Sequence, residues 1–249
     1  MKILKPRNKT PQIQLNNIVD FHSHILFDID DGPTTIEKSL KILDSEKQQN
    51  VSDILLTSHF YADTDDVNKF INIRQDRYEK LCAANQTGIN LHLAAEVYLC
   101  RDLTLLSSVK DLCISGTDRI LLEIPHEKEI NSHILNLINQ VASNYNVIPV
   151  IAHIDRYFDY IKYYRDVIDE LIDLGCELQL NASALLERKT LKEARRLLEN
   201  GCISYIGSDT HNTHKRKCNI AEGYSVIIDE FGKDVAEYLN MNAMKVLNK

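Results

Sequence analysis

The stretch "VDFHSHILFDIDDG", Val19 to Gly32, sets two histidines and four aspartates among Phe, Ile and Leu. Successive side chains on a strand point to opposite faces, so His22 and His24 share one face and can reach one metal ion. Taken alone, the stretch fits either a metal-binding strand or a polar edge strand with a turn behind it. The remainder of the chain has to decide.

Outward from this stretch, short apolar runs alternate with longer amphipathic ones. "NIVDFHSH", "DILLTSHF", "NLHLAAEVYL", "DRILLEIP", "NVIPVIAHI", "CELQLNAS" and "CISYIGSDTH" read as strands. "TTIEKSLKILDSEKQQN" reads as a helix with a capping box of Thr34 and Glu37. "VNKFINIRQDRYEKLCAAN", "INSHILNLINQVASNY", "YRDVIDELIDLG" and "TLKEARRLLENG" carry helical periodicity, and the last two close on Gly175 and Gly201. Such alternation predicts an α/β fold with parallel strands. About seven βα units in one unbroken stretch predict a (β/α) barrel, with residues 1–17 as a polar arm and 18–249 as one domain. No GxGxxG or GxxxxGK[ST] supports a nucleotide fold.

On that frame the acids and imidazoles fall at strand ends. His22 and His24 end the first strand and Asp31 follows in its loop. His59 ends the second, Glu96 lies toward the end of the third, Glu123 ends the fourth and His153 the fifth. The last runs out into Asp209 and His211, spaced as in HxH. In a barrel these ends form one face, the one that carries active sites. Singly, His59 reads as a structural histidine, and Glu96 or Glu123 as half of a salt bridge. Together they predict a shared site for two or three divalent ions, with a carboxylate such as Glu96 bridging. Mixed imidazole and carboxylate donors suit manganese, iron or zinc, with magnesium at oxygen-rich positions. His92, His126, His133 and His214 are out of phase or lie in loops and helices, and read as surface residues.

The bulk numbers agree with an ordinary globular protein. The 249 residues are 44% hydrophobic and 26% charged, with a net charge of −7 and a pI near 5.7. This balance disfavours a general nucleic-acid binder despite the short basic run "THKRKC". The N-terminus has no apolar h-region, and no run is long enough to span a membrane. Six scattered cysteines without a CxxC pair read as reduced thiols of a cytosolic protein. "CISGTDR", Cys113 to Arg119, has the C-x5-R spacing of cysteine-dependent phosphatases. Its Asp118, which would repel phosphate, and its neighbours Leu112 and Ile120 weigh against that use.

These segments together resemble the PHP (polymerase and histidinol phosphatase) superfamily. Within it they are most similar to the metal-dependent protein-tyrosine phosphatases of bacterial capsule and exopolysaccharide loci, the CpsB/YwqE type. "DFHSHILFDIDDGPTTIEKSL", "LLTSHF", "LLEIP", "PVIAHIDRY", "LQLNASALL" and "GSDTHN" carry the resemblance, from about Ile18 to the end. It implies a distorted seven-stranded (β/α) barrel with a trinuclear metal centre, manganese first among the candidate ions. It carries the metal ligands onto His22, His24, Asp31, His59, Glu96, Glu123, His153, Asp209 and His211, and two phosphate-binding arginines onto Arg156 and Arg216. The usual His-Pro-Glu-Arg of the fifth strand reads "HIDR" here, with Ile154 and Asp155. The implied reaction is phosphotyrosine hydrolysis by hydroxide held between metal ions. The implied substrate is the tyrosine-rich tail of a bacterial kinase that controls capsule or exopolysaccharide synthesis. Two other readings stay open: a histidinol-phosphatase-like small-molecule phosphoesterase, and a non-catalytic, metal-stabilised regulator that binds a kinase.

Overall fold

The computed structural model describes residues 15–125, 130–159 and 164–247. Most of the predicted arm, together with His126, lies outside them. The strands are β1 (Ile18–Ser23), β2 (Val51–Leu56), β3 (His59–Phe60), β4 (Asn90–Leu93), β5 (Glu96–Tyr98), β6 (Arg119–Glu123), β7 (Ile148–Ile151), β8 (Glu177–Asn181) and β9 (Tyr205–Gly207). The helices are α1 (Ile36–Lys47), α2 (Val67–Ala84), α3 (Ser132–Tyr145), α4 (Tyr164–Asp173), α5 (Leu191–Glu199), α6 (Ile220–Phe231) and α7 (Lys233–Leu247).

All strand pairs are parallel. They form two sheets, β1-β2-β4 and β3-β5-β6-β7-β8-β9, which make one curled α/β architecture. A parallel bridge between Ser23 and Thr210 brings the chain after β9 beside the end of β1. Alternating side chains divide between two apolar clusters. Ile54, Leu56, Ile120, Leu122 and Ile151 pack in the larger one, and Leu55, Leu121 and Val150 in the smaller. Both sheet faces are therefore covered, as parallel sheets require. In the smaller cluster Phe21 stacks on Tyr205, with ring centroids 3.8 Å apart and planes within 4°.

Four sequence expectations are corrected. "DILLTSHF" is not one strand but β2 and β3, separated by Thr57–Ser58, and "NLHLAAEVYL" is β4 and β5, separated by Ala94–Ala95. At these breaks the backbone finds other partners: the Ala94 carbonyl accepts from Arg74 at 2.8 Å, and Thr57 N donates to Ser23 O at 2.8 Å. The breaks leave His59 registered against Glu96. The cap of α1 is Thr35, not Thr34, because the Thr34 hydroxyl accepts from Lys38 Nζ at 2.8 Å instead. The sequence reading assigned no element after His211, yet α6 and α7 form there. Asn240 of α7 accepts from Val19 N at 2.8 Å and donates to Asn17 O at 2.9 Å, which ties the C-terminal helix to the start of β1. Finally, His92 is not a free surface residue. It sits half-buried, 2.9 Å from Asp53.

Candidate metal centre

β1 builds the site through an irregularity. Strict alternation would place Asp20, His22 and His24 on one face. The register with β2 shifts between Asp20 and Ser23, and such shifts re-aim side chains. Phe21 packs with Val19 in the smaller cluster, while His22 and His24 bring their Nε2 atoms within 3.1 Å of each other. Around them lie the first residues of β3 and β5, the last residue of β6 and the loops just after β7 and β9, so residues far apart in sequence meet.

Glu96 occupies the middle. Its Oε2 lies 3.2 Å from His22 Nε2, 3.0 Å from His24 Nε2 and 3.2 Å from His59 Nδ1. It is buried with hydrogen-bond geometry to none of them. Its Oε1 lies 2.6 Å from His153 Nε2. Glu123 adds its carboxylate 3.7 Å from His59 and 3.6 Å from His153. Asp209 Oδ1 stands 3.8, 3.6 and 3.6 Å from His22, His24 and His211. Asp31, the exposed member, reaches His211 at 3.0 Å and His59 at 3.6 Å. All nine sequence-predicted donors therefore lie in one cluster.

Buried lone pairs that face one another without hydrogen bonds are costly unless a cation sits between them. Besides Glu96 Oε2, the buried His59 Nδ1 and His211 Nε2 have no hydrogen-bond partner. Three overlapping donor groups, His24–Asp31–His59–His211, His22–His24–Asp209 and His59–Glu96–Glu123, bring their atoms within 4.8 Å. The donor set fits divalent ions. The electrostatics agree: burial opposes charge on His24, but Asp30 and Glu96 outweigh it and raise that imidazole to about 10. Burial also works against the Glu96 carboxylate, yet His22 and His153 hold it well below the usual range.

Residues that the sequence reading did not place in the site orient these donors. Gln179 Oε1 accepts from His22 Nδ1 at 3.1 Å and from His153 N at 2.6 Å. Asp30, in the loop after β1, accepts from His24 Nδ1 at 3.0 Å and from His59 N at 3.2 Å. These bonds put the proton on Nδ1 and leave Nε2 of His22 and His24 facing the cluster. Asn181 donates to Asp209 at 3.2 Å. Gln179 and Asn181 repeat the two-residue spacing of HxH at the end of β8, a signal the sequence did contain. His153 and Asp209 have φ of 32° and 56°, a left-handed backbone that costs energy and tends to gather at functional sites.

Arg156 and Arg216 reach the cluster from the loops after β7 and β9. Arg156 contacts Asp209 and lies 3.6 Å from Glu123. Arg216 lies 2.8 Å from Asp209 and 3.3 Å from Asp31. Both line a cleft of about 360 Å³ with Phe158, Asn181, Lys215 and Lys217. The C-x5-R segment is built differently. Burial, with Asp118 and Asp111 nearby, pushes the Cys113 thiol up to about 11. Arg119 is engaged by Glu177 at 2.8 and 2.9 Å. A protonated thiol and an occupied guanidinium do not make a phosphate loop.

Comparison with known proteins places this arrangement. The family described as capsular polysaccharide synthesis, CpsB/CapC, matches residues 18–248. Tyrosine-protein phosphatase CpsB of Streptococcus agalactiae serotype V is 30% identical over 248 residues, covering 92% of this chain and 98% of that protein. Among solved structures, YwqE from Bacillus subtilis and CpsB from Streptococcus pneumoniae, described as metal-dependent tyrosine phosphatases, match with a TM-score of 0.77 at 22% identity, covering 92% of this chain and 94% of that one. Histidinol phosphate phosphatase from Lactococcus lactis, complexed with zinc, histidinol and phosphate, matches with a TM-score of 0.57 at 15% identity over 88% of this chain and 95% of that one. The site on the curled parallel sheet and the match over nearly the whole length lead to one assignment: this chain belongs to the CpsB/CapC family of capsular polysaccharide synthesis proteins.

Proposed function

We propose that the chain is a metal-dependent protein-tyrosine phosphatase that acts in the cytosol on the tyrosine-rich tail of a bacterial kinase controlling capsule or exopolysaccharide synthesis. The observation that carries this reading is the convergence of His22, His24, Asp31, His59, Glu96, Glu123, His153, Asp209 and His211, with Glu96 Oε2, His59 Nδ1 and His211 Nε2 buried without hydrogen-bond partners and two arginines at the mouth. These residues would hold two or three divalent ions, manganese first. Counting β2 with β3 and β4 with β5 as single interrupted strands gives seven around the curl, the distorted barrel that the resemblance implies.

Bound ions would supply a water of lowered pKa and neutralise phosphoryl charge. The chain's own residues do the rest. Arg156 and Arg216 present forked guanidinium groups that match the non-bridging phosphoryl oxygens. Phe158, at the cleft wall, offers an apolar face to the substrate ring. A phenolate leaves with a pKa of about 10 and needs less protonation than an alkoxide. Gln179 and Asp30 hold the imidazoles in place throughout.

The test is hydrolysis of a phosphotyrosine peptide, a phosphoserine peptide and histidinol phosphate, before and after chelation and manganese return. Phosphotyrosine turnover that vanishes with chelator and returns with manganese is expected. Preference for histidinol phosphate would replace the substrate assignment. Inactivity after manganese loading would favour a kinase-binding regulator.

A further inference from the structure

A second group of metal-type donors lies outside this cluster. Asp20 of β1, Glu46 of α1 and Cys218 of the loop before α6 bring one donor atom each within 4.8 Å of one another. All three side chains are buried, Asp20 and Glu46 completely. Cys218 Sγ donates to Glu46 Oε2 at 2.9 Å. The other carboxylate oxygens, Asp20 Oδ2 and Glu46 Oε1, are buried without any hydrogen-bond partner. So is the hydroxyl of Tyr224 on α6, which is 1% exposed and close enough to feel the Asp20 charge.

Two fully buried carboxyl groups with orphaned oxygens are an expensive arrangement without a cation. A polar core normally satisfies such atoms. Burial, and then the charge of Asp20, push the Glu46 carboxyl well above the usual range, in keeping with a site that resists two bare anions. A soft sulfur beside two hard oxygens favours a thiophilic ion over magnesium or calcium. The main cluster offers imidazole and carboxylate but no sulfur.

We propose that Asp20, Glu46 and Cys218 form a structural site for a thiophilic divalent cation, zinc in particular, separate from the catalytic cluster. Binding replaces the Cys218 S–H bond by a sulfur–metal bond and releases that proton and the one on the Glu46 carboxyl to solvent, since the thiolate and the carboxylate are the ligands. The ion takes the orphaned Asp20 and Glu46 oxygens as donors. The other oxygen of Asp20 accepts from Ser208 N at 2.7 Å and from His22 N at 3.3 Å. The cation thus anchors the seam between β1 and β9, the strands that lead to His22 and Asp209.

The experiment loads the full chain with cobalt(II) and records its absorption. A thiolate-to-cobalt charge-transfer band in the near ultraviolet is expected. The band should disappear in both Cys218→Ser and Glu46→Gln and persist in Cys113→Ser and Glu96→Gln. Zinc content after dialysis should fall by a single equivalent per chain in the first two variants, with circular dichroism confirming that they are folded. Absence of the band in the folded wild-type chain overturns the site, as does a band that survives Cys218→Ser. Glu96→Gln leaves this readout intact whether or not the phosphatase reading holds, so the two proposals fail separately.

Discussion

Gln179 shows how one side chain can govern several donors. A single carbonyl oxygen accepts from His22 Nδ1 and from the His153 backbone. Replacement of such orienting partners commonly costs about 10–100-fold in metal affinity. Gln179→Leu is therefore expected to weaken manganese binding by that factor, measured by titration against a metal buffer, while folding is kept. Unchanged affinity would remove Gln179 from the account. Arg156 makes the complementary prediction at the substrate end. Loss of a charged hydrogen bond costs roughly 1.5–3 kcal/mol, or about 10- to 100-fold in rate. Arg156→Ala should lower kcat/KM on phosphotyrosine peptide by that range at unchanged metal content. Arg156→Lys should restore only part, because an ammonium lacks the planar fork.

Elements carry constraints that no single donor reveals. Gly207 ends β9 against β1 and β8. A Cβ there would lie 2.6 Å from His22 Cβ and 2.9 Å from Gln179 Nε2. Real structures do not hold such contacts, so Gly207→Ala must move β9 or displace both side chains. Overpacking of this kind costs about 1–3 kcal/mol. The expected result is a melting temperature lowered by roughly 3–10 °C together with weaker metal binding. A variant with wild-type melting and affinity would show that the seam yields freely. The loop from Cys113 to Arg119 predicts the opposite outcome. Its thiol is buried and protonated, so Cys113→Ser should keep full manganese-dependent activity. Loss of turnover with intact metal content would restore the cysteine mechanism.

At the scale of the molecule, the candidate metal cluster links distant parts of the chain, from His22 to His211. Ions bound only to the folded state stabilise it by about 2.7 kcal/mol at a hundredfold excess over Kd. For a domain of this size that corresponds to roughly 5–10 °C in melting temperature. Calorimetry with and without manganese should show this shift, and equal melting curves would mean that the cluster does not bind ions tightly. Among the described residues no helix is long and apolar enough to cross a membrane; the buried faces of the helices pack against the sheet. α7 does so at long range, placing Ala243 and Val246 in the inner cluster with Val19 and Phe21.

The sequence by itself determined the α/β class, the parallel order and the identities of the clustered donors. Period-two spacing and the recurrence of His, Asp and Glu at strand ends are local patterns, and local patterns can be read from one chain. Tertiary structure alone decided where β2/β3 and β4/β5 break, because those breaks answer to partners such as Arg74 and Ser23 that are far away in sequence. The same holds for Asp20. Alternation would have set it beside His22 and His24, but the register shifts after Asp20, and the histidines face the main cluster while Asp20 faces Glu46 and Cys218. A bulge leaves no mark in hydrophobic periodicity, and the meeting of a strand, a helix and a loop depends on how they pack.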